Sequence, residues 1–227
     1  MNNFKRKTRF PAKRSSIKDN IFCLTKDAVV ITLGLVISSF GTALFYAAEL
    51  GSSPMATFCD GLHNLLNISY GSANTFTNMA LLVVMLVVER SYINIGTVLC
   101  VFVIGPFVNL FTPFLAGMNL SSQAIPLRVL FTIIGTAFMG AGLGLYVAVD
   151  RGYGPLEGLV KYFCAKFGHS YSNVKIIQDV LLVLGGVLLS AKWGVGTLVA
   201  MVLTGPLLQF SVEFFTKHFK KEPTVIH

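Results

Sequence analysis

Two oppositely charged side chains stand four residues apart within an apolar stretch of the chain. Lys175 and Asp179 have the i, i+4 spacing at which neighbours on one helix face meet, so the sequence predicts an ion pair between them. A charge inside a bilayer costs about 2.5–3.5 kcal/mol, which makes the pair a candidate for coupling an ion to transport. A pair that fixes helix packing near the cytoplasmic interface, with the lysine reaching outward, fits the spacing equally well. The chain contains an internal repeat, and in it Asn78 is the counterpart of Asp179.

Glu157 is a second acidic candidate. It takes the third position of a predicted helix that begins at Pro155, where a carboxylate favours the helix N-terminus. It also precedes Lys161 by four residues. The position predicts a structural cap, and a proton or cation carrier at the cytoplasmic mouth is the functional alternative.

Two amides follow Gly-Pro pairs at matching positions. Asn109 comes three residues after Gly105-Pro106, and Gln209 comes three residues after Gly205-Pro206. Proline inside a helix frees a backbone carbonyl and bends the helix, so these pairs are candidates for a substrate site. The amides either bind that substrate or join two helices by a hydrogen bond.

Asp60 and His63, with Cys59 beside them, share one face of a short helix. Two ligands do not make a metal site, so we interpret this cluster as solvated surface and predict no metal. The sequence contains no nucleophile–histidine–acid set, phosphate loop or HExxH motif. We therefore expect no enzyme activity and no cofactor.

Apolar segments of membrane-spanning length position these residues. Hydrophobic residues make up 54% of the 227-residue chain and charged residues 12%, which excludes disorder and argues against an ordinary soluble domain. A bilayer core needs roughly 20 residues of helix. Six windows qualify, the second and fifth being short and partly polar: 28–48, 73–89, 95–115, 127–149, 173–190 and 195–215.

A block of about a hundred residues occurs twice. The spacing is 101 residues up to a shared tyrosine and 100 at the Gly-Thr and Gly-Pro pairs that come later. The first copy contains Gly41, Leu44, Ala47, Gly51, Pro54, Tyr70, Gly96-Thr97 and Gly105-Pro106, and the second Gly142, Leu145, Ala148, Gly152, Pro155, Tyr171, Gly196-Thr197 and Gly205-Pro206. Because each copy crosses the bilayer an odd number of times, the copies are predicted to be inverted, as in many secondary transporters.

Each copy also contains a turn and a short helix. A G-x-x-P turn (Gly51 to Pro54, Gly152 to Pro155) precedes an amphipathic stretch, at 55–67 and 156–168. Thirteen residues of helix reach only about 20 Å. These helices are predicted to lie in the interface or to dip into the membrane as re-entrant segments.

The net charge of +8 is unevenly distributed. With a cytoplasmic N-terminus, sixteen lysines and arginines lie inside and only Arg128 and Lys192 outside, which supports this orientation. The predicted organisation is a basic cytoplasmic tail (1–26), a first membrane repeat (27–118), a second (119–216) and a basic cytoplasmic tail (217–227). The N-terminal basic cluster is an orientation signal that touches lipid, and we expect no nucleic-acid partner.

At the repeated motifs the chain resembles the YczE/YyaS/YitT family of bacterial integral membrane proteins, and within it the YczE-like branch. The resemblance covers about residues 30 to 215. Four stretches carry it: Leu50-Gly-Ser-Ser-Pro54, Gly152-Tyr-Gly-Pro-Leu-Glu-Gly-Leu159, Gly194-Val-Gly-Thr-Leu198 and Thr204-Gly-Pro-Leu-Leu-Gln209. It implies a polytopic protein of the bacterial plasma membrane, and the family has no agreed biochemical activity.

The chain departs from this family at two places. Leu156 replaces the arginine that follows the second proline, while Glu157 keeps the acid of the pattern. The first repeat has Met55-Ala56 where the family has Trp-Asp. Any role of that first acid is therefore absent here or supplied by Asp60.

Together these features predict an all-α polytopic membrane protein with six transmembrane helices, arranged as two inverted three-helix repeats. The leading hypothesis is a secondary transporter of a small solute, with the substrate near Asn109 and Gln209 and with Asp179 and Glu157 as coupling groups. The alternative is a membrane scaffold or regulatory partner of a cytoplasmic enzyme complex. Small-residue faces at Gly135, Gly140 and Gly144 suit packing within one chain or between two copies in a homo-oligomer.

Overall fold

The computed structural model describes residues 17–169 and 171–219, with side chains over 24–169 and 173–218. Within those ranges the chain forms eight α-helices and no strand. Most of both predicted basic tails (1–16 and 220–227) lies outside the described residues. The helices are α1 (Ile17–Ala48), α2 (Pro54–Leu66), α3 (Tyr70–Val88), α4 (Ile95–Ala116), α5 (Ile125–Ala148), α6 (Pro155–Phe167), α7 (Tyr171–Leu188) and α8 (Val195–Phe219).

Five helices of the described part are long and apolar enough to cross a membrane. They cover Leu24–Ala48, Tyr70–Val88, Ile95–Ala116, Ile125–Ala148 and Val195–His218. The predicted span 173–190 is the helix α7, which is not among the five. An all-helical fold with five candidate membrane spans is therefore confirmed, whereas six spans and their inverted arrangement stay predictions. α1 begins at Ile17, within the segment 1–26 that the sequence analysis predicted as a tail. The prediction placed the boundary too late because apolar residues mark only the part of a helix that lies in lipid.

Helices α1 and α5 pack antiparallel through glycines. A Cβ built on Gly34 would lie 2.7 Å from the carbonyl oxygen of Gly142, and one built on Gly41 would lie 2.5 Å from that of Gly135. Only residues without a side chain allow two helix backbones to approach this closely. The repeat relates these two contacts to each other. Gly34 corresponds to Gly135 and Gly41 to Gly142, so the contact of Gly34 with Gly142 is the counterpart of the contact of Gly135 with Gly41.

The two predicted turns have the same backbone. Both glycines of the G-x-x-P motif have positive φ, +95° at Gly51 and +110° at Gly152. Each turn leads into a 13-residue helix with proline at its start, α2 and α6. Positive φ also recurs at Glu49 and Asp150, and in the residues that end these short helices. The two turns thus share one backbone conformation, so the sequence repeat extends to the conformation of these loops.

Each turn contacts the helix start that belongs to the other half. The Gly196 N–H donates to the Leu50 carbonyl at 2.8 Å, and the Gly96 N–H donates to the Arg151 carbonyl at 2.9 Å. Leu50 and Arg151 are repeat counterparts, as are Gly96 and Gly196. Because the halves exchange contacts in this way, neither half is packed as a separate domain.

The connections gather at two ends of the molecule. The end that contains α2, here called the α2 face, joins the start of α5 to the end of α1: Arg128 donates to the carbonyl oxygens of Ala48 (2.8 Å) and Glu49 (3.0 Å). The α7–α8 connection lies there too, because Asn64 of α2 donates to the Ser190 carbonyl at 2.9 Å.

The opposite end, the α6 face, contains α6 and the connections α3–α4 and α5–α6. Arg151 pairs there with Asp27 of α1 at 2.7 Å. The hydroxyl of Thr97, at the start of α4, donates to the Tyr153 carbonyl at 2.7 Å. The described helix ends therefore form two groups at opposite ends of the molecule. Which face is cytoplasmic stays a prediction from the charges.

Candidate functional site

The first Gly-Pro position is closed by a neighbouring helix. A Cβ on Gly105 would lie 1.9 Å from the Thr75 hydroxyl and 2.5 Å from the Gly71 carbonyl oxygen, so α3 lies directly against α4. The Asn109 side-chain carbonyl accepts from the Gly71 N–H at 2.8 Å. Asn109 thus joins two helices, which is one of the two roles that the sequence left open.

The second Gly-Pro position is open. A Cβ on Gly205 would have no heavy atom of a described residue within 4 Å, and Gly205, Pro206 and Gln209 are exposed. Gln209 donates to Glu213 of its own helix at 3.1 Å. No hydrogen bond joins Asn109 to Gln209 within the part of the chain that the structure describes. The predicted substrate residues therefore lie in two unlike environments.

The predicted ion pair on α7 is present. Lys175 Nζ lies 2.6 Å from Asp179 Oδ1, with the two side chains 29% and 15% exposed. Gln178, beside the pair, donates to the Leu156 carbonyl at 3.2 Å and so links α7 to α6. The geometry confirms the pairing; a coupling role stays a prediction.

Asn78 is buried at 5% exposure and donates to the carbonyl (3.1 Å) and side-chain oxygen (2.8 Å) of Asn74. Both amides lie on α3, and the sequence analysis had singled out only Asn78. In apolar surroundings each buried amide needs such a partner. This part of α3 is therefore a polar patch in a helix that is otherwise long and apolar.

Glu157 folds over the start of its own helix. It lies in the first turn of α6, and its Oε2 would be 2.4 Å from a Cβ on Gly154, the residue that caps the helix. A carboxylate there interacts favourably with the free N–H groups of the first turn. Lys161, four residues later, lies 3.3 Å from the centre of the Tyr153 ring. This geometry fits the capping interpretation.

Asp60 is buried, so the interpretation of its cluster as solvated surface is wrong. Its exposure is only 4%, and its Oδ2 accepts from the backbone N–H of Lys192 at 2.6 Å. The sequence could not reveal this, because the residues that cover Asp60 come from the end of α1 and from the α7–α8 connection. A small pocket at the α2 face has Asp60 in its wall, together with Phe45, Tyr46, Glu49, Gly51, Ser52, Tyr70 and Lys192.

Three aromatic rings stack beside this pocket. Tyr46 and Tyr70 are parallel with centroids 4.1 Å apart, and His63 lies 4.0 Å from Tyr70. The Tyr46 hydroxyl donates to the Ala56 carbonyl at 3.1 Å, and His63 Nδ1 bonds the Ile68 carbonyl. Of these rings, the sequence analysis named Tyr70, as a repeated tyrosine, and His63, as part of the cluster with Asp60. Tyr46 carried no signal of its own.

The pocket also changes the acidity of its groups. Burial raises the pKa of the Asp60 carboxyl above its ordinary value, while the Lys192 backbone N–H, His63 and the Lys192 charge lower it in part. Burial raises the pKa of the neighbouring Cys59 thiol to about 12. Cys59 therefore stays protonated at neutral pH, as expected of a small apolar filler.

Comparison with known proteins gives a family and uncharacterised relatives. A family model described as "Family of unknown function (DUF6198)" matches residues 25–213. An uncharacterized protein of Haemophilus influenzae is 27% identical over 85% of this chain and 86% of its own length. The uncharacterized membrane protein YczE of Bacillus subtilis is 26% identical over 79% of this chain and 82% of its own.

The uncharacterized protein YyaS of Bacillus subtilis is 20% identical over 82% of this chain and 92% of its own length. These relatives confirm the resemblance inferred from the repeated motifs. No solved structure matches the chain.

Proposed function

Since the chain belongs to the DUF6198 family, whose function is unknown, we propose from its geometry that it is a secondary transporter of a small solute. It works in the bacterial plasma membrane by alternating access, with two inverted three-helix repeats moving against each other. The membrane location follows from five apolar helices and agrees with a relative described as a membrane protein.

Exchanged contacts between the halves support the inverted arrangement. Antiparallel α1 and α5 meet at counterpart glycines, and each G-x-x-P turn rests on the helix start of the other half. A two-fold relation of this kind, with its axis in the membrane plane, is the plan of many carriers.

The unequal surroundings of Gly105 and Gly205 carry the proposal. Gly105 is closed by Gly71 and Thr75 of α3, whereas Gly205 has an open flank. In a carrier built from two repeats, one repeat adopts one arrangement while the other adopts the alternative, and the two exchange during transport. The opposite state would then have α7 against Gly205 and α3 withdrawn from Gly105.

Small glycines, helix-bending prolines and amides supply the expected substrate contacts. Gly105-Pro106 with Asn109 and Gly205-Pro206 with Gln209 provide these groups on the two helices. When α3 withdraws, the Asn109 amide loses the Gly71 N–H and becomes free to bind a polar solute. Lys175, Asp179 and Glu157 lie on α7 and α6, where charge can respond to the movement of the second repeat.

A ligand screen tests the proposal. The purified chain is heated with a library of bacterial metabolites and inorganic ions, and any hit is tested for uptake into vesicles. A ligand at 100 times its Kd adds about 2.7 kcal/mol to stability. We expect a saturable hit that is lost in Asn109→Ala and retained in the exposed control Val202→Leu.

The scaffold alternative is separated by removing residues 2–18. A carrier core keeps ligand binding without this basic segment, whereas a scaffold loses its cytoplasmic partner in a pull-down. Ligand binding that survives Asn109→Ala and Gln209→Ala together would contradict the proposed substrate site.

A further inference from the structure

Asp60 is a buried carboxylate without a cation of its own. Among the described residues, it accepts one hydrogen bond, from the backbone N–H of Lys192 at 2.6 Å. The Lys192 ammonium instead pairs with Glu49 Oε1, at 3.0 Å. Within the described residues no lysine, arginine or histidine forms an ion pair with Asp60.

A carboxylate in this position is energetically expensive while it is ionised. Removing a charge from water costs far more than one backbone hydrogen bond returns. Such a group lowers its free energy by binding a cation or by taking up a proton. The pocket beside Asp60 decides between these two outcomes.

The pocket is too small for a solute. Its free volume is about 10 Å³, which is roughly the space for one water molecule. Stacked Tyr46 and Tyr70 form one wall, and His63 covers the far side of Tyr70, so the ring faces are already occupied. A proton delivered through water fits this space, whereas an organic cation does not. Among the described residues, no group of three or more histidine, cysteine, aspartate or glutamate side chains could hold a metal ion there.

We propose that Asp60 binds a proton from the α2 face, which is the outer face under the predicted topology, and that this proton is the coupling ion. The second half of the proposal rests on the transporter function proposed above. The proton comes from solvent water and adds to a carboxylate oxygen, which turns the carboxylate into a neutral carboxyl group. No other bond is made or broken.

Proton binding weakens the hydrogen bond by which Asp60 fixes the α7–α8 connection. A hydrogen bond to an ionised acceptor is about twice as strong as one to a neutral acceptor, so protonation weakens the contact with the Lys192 N–H. Lys192 lies two residues before Gly194, which packs on the Leu50 carbonyl. Protonation therefore loosens the segment that leads into α8, the helix whose Gly205 flank is open.

The charged and titratable groups around Asp60 come from several elements. Glu49 belongs to the end of α1 and favours the protonated form, whereas Lys192 of the connection and His63 of the same helix favour the ionised form. Cys59, Tyr46 and Tyr70 also interact with Asp60. Of these groups, Glu49 and Lys192 are the most exposed, so they are suited to substitution.

Infrared difference spectroscopy of the full chain in detergent tests the titration directly. On raising the pH we expect loss of a protonated-carboxyl C=O band in the wild type. The band is absent in Asp60→Asn and retained in the matched control Asp179→Asn, whose carboxylate is paired with Lys175. A band that persists in a folded Asp60→Asn variant overturns the proposal.

Two charge variants keep the test valid if Asp60→Asn fails to fold. Lys192→Met retains the backbone N–H but removes the positive charge, so the band titrates at higher pH. Glu49→Gln removes a negative charge and frees Lys192, so the band titrates at lower pH. Shifts in the same direction, or none in either variant, overturn the assignment to Asp60.

Coupling is read separately from proton binding. For a solute found by the screen, uptake into vesicles is expected to rise with an inward proton gradient, and Asp60→Asn loses that dependence. Gradient-independent uptake by the wild type overturns the coupling but leaves the transporter standing. Titration of Asp60 in a chain that transports nothing contradicts the transporter instead, so the two failures are distinguishable.

Discussion

Gly105 and Gly205 occupy equivalent positions in the two halves of the chain, yet only Gly105 is in contact with a neighbouring helix. The flank of Gly105 meets Thr75 and Gly71, whereas no heavy atom of the described residues lies within 4 Å of a Cβ on Gly205. Two copies of one motif therefore exist in two packing states within one molecule. This difference is what the proposed transporter mechanism expects, because its two halves adopt unlike arrangements in any one state.

Alanine at the two positions is expected to have unequal effects. Gly105→Ala forces α3 away from α4 and costs about 1–3 kcal/mol, as overpacking does in cores. Gly205→Ala changes stability by no more than about 0.5 kcal/mol, because the added methyl group meets open space. Thermal unfolding in detergent measures both. Equal losses would show that the open flank of Gly205 is not populated in solution.

A bulky residue at Gly205 is expected to block transport without unfolding the protein. Gly205→Leu fits the present state but prevents α7 from closing on α8. Uptake of a screened solute falls by at least about tenfold, which corresponds to 1.4 kcal/mol against the closed state. Val202→Leu, exposed on the same helix, is the matched control. Normal uptake by Gly205→Leu would exclude the proposed exchange.

Two glycines with positive φ allow the effect of backbone strain to be separated from that of close contact: Gly51 in a G-x-x-P turn and Gly168 at the end of α6. Gly51→Ala introduces both, because φ is +95° and the Cβ would lie 2.3 Å from the Thr197 hydroxyl. Gly168→Ala introduces only strain, since φ is +69° and no heavy atom of the described residues lies within 4 Å of its Cβ position. We expect about 1 kcal/mol from Gly168→Ala and clearly more from Gly51→Ala. Chemical or thermal denaturation measures the difference, and a smaller loss for Gly51→Ala would contradict it.

The Lys175–Asp179 pair is expected to behave as a unit. Asp179→Leu leaves a half-buried ammonium without its partner, so stability falls by about 1–3 kcal/mol, and Lys175→Met restores part of it. A double-mutant cycle on thermal unfolding gives the coupling. Asp179→Asn tests the transport role: if Asp179 couples an ion, transport is abolished while membrane insertion is retained. Unchanged uptake would indicate that the pair only stabilises the packing of the helices.

Stability is expected to depend on pH through Asp60. Its folded-state pKa is raised by burial, so the folded protein holds the proton more tightly than the unfolded chain. The stabilisation is present below the ordinary carboxyl pKa and is lost as the pH rises through the raised value. Asp60→Asn removes this loss, because the amide stays neutral and its oxygen still accepts from Lys192. Denaturation curves across acidic and neutral pH measure it; an unchanged slope in the variant would contradict the assignment.

The features that the sequence predicted well are local or periodic. The short helices after Pro54 and Pro155 appear within one residue of their predicted limits, because proline, helical spacing and a glycine turn define them within a few positions. Lys175 and Asp179 pair because four residues on a helix bring any two side chains to one face. The all-helical membrane class follows equally directly from apolar windows that are long enough to cross a bilayer.

The contacts between distant segments required the tertiary structure. The sequence suggests that Asp60 is a surface residue because its own helix is short and amphipathic. Water is excluded from it by the α7–α8 connection and the end of α1, which are distant in the chain. Gly105 and Gly205 are indistinguishable in the sequence, since their difference arises from which helix packs beside each. Periodicity thus determined the helices and their repeated turns. Burial and the unequal packing of the two halves were decided by contacts between residues far apart in the chain.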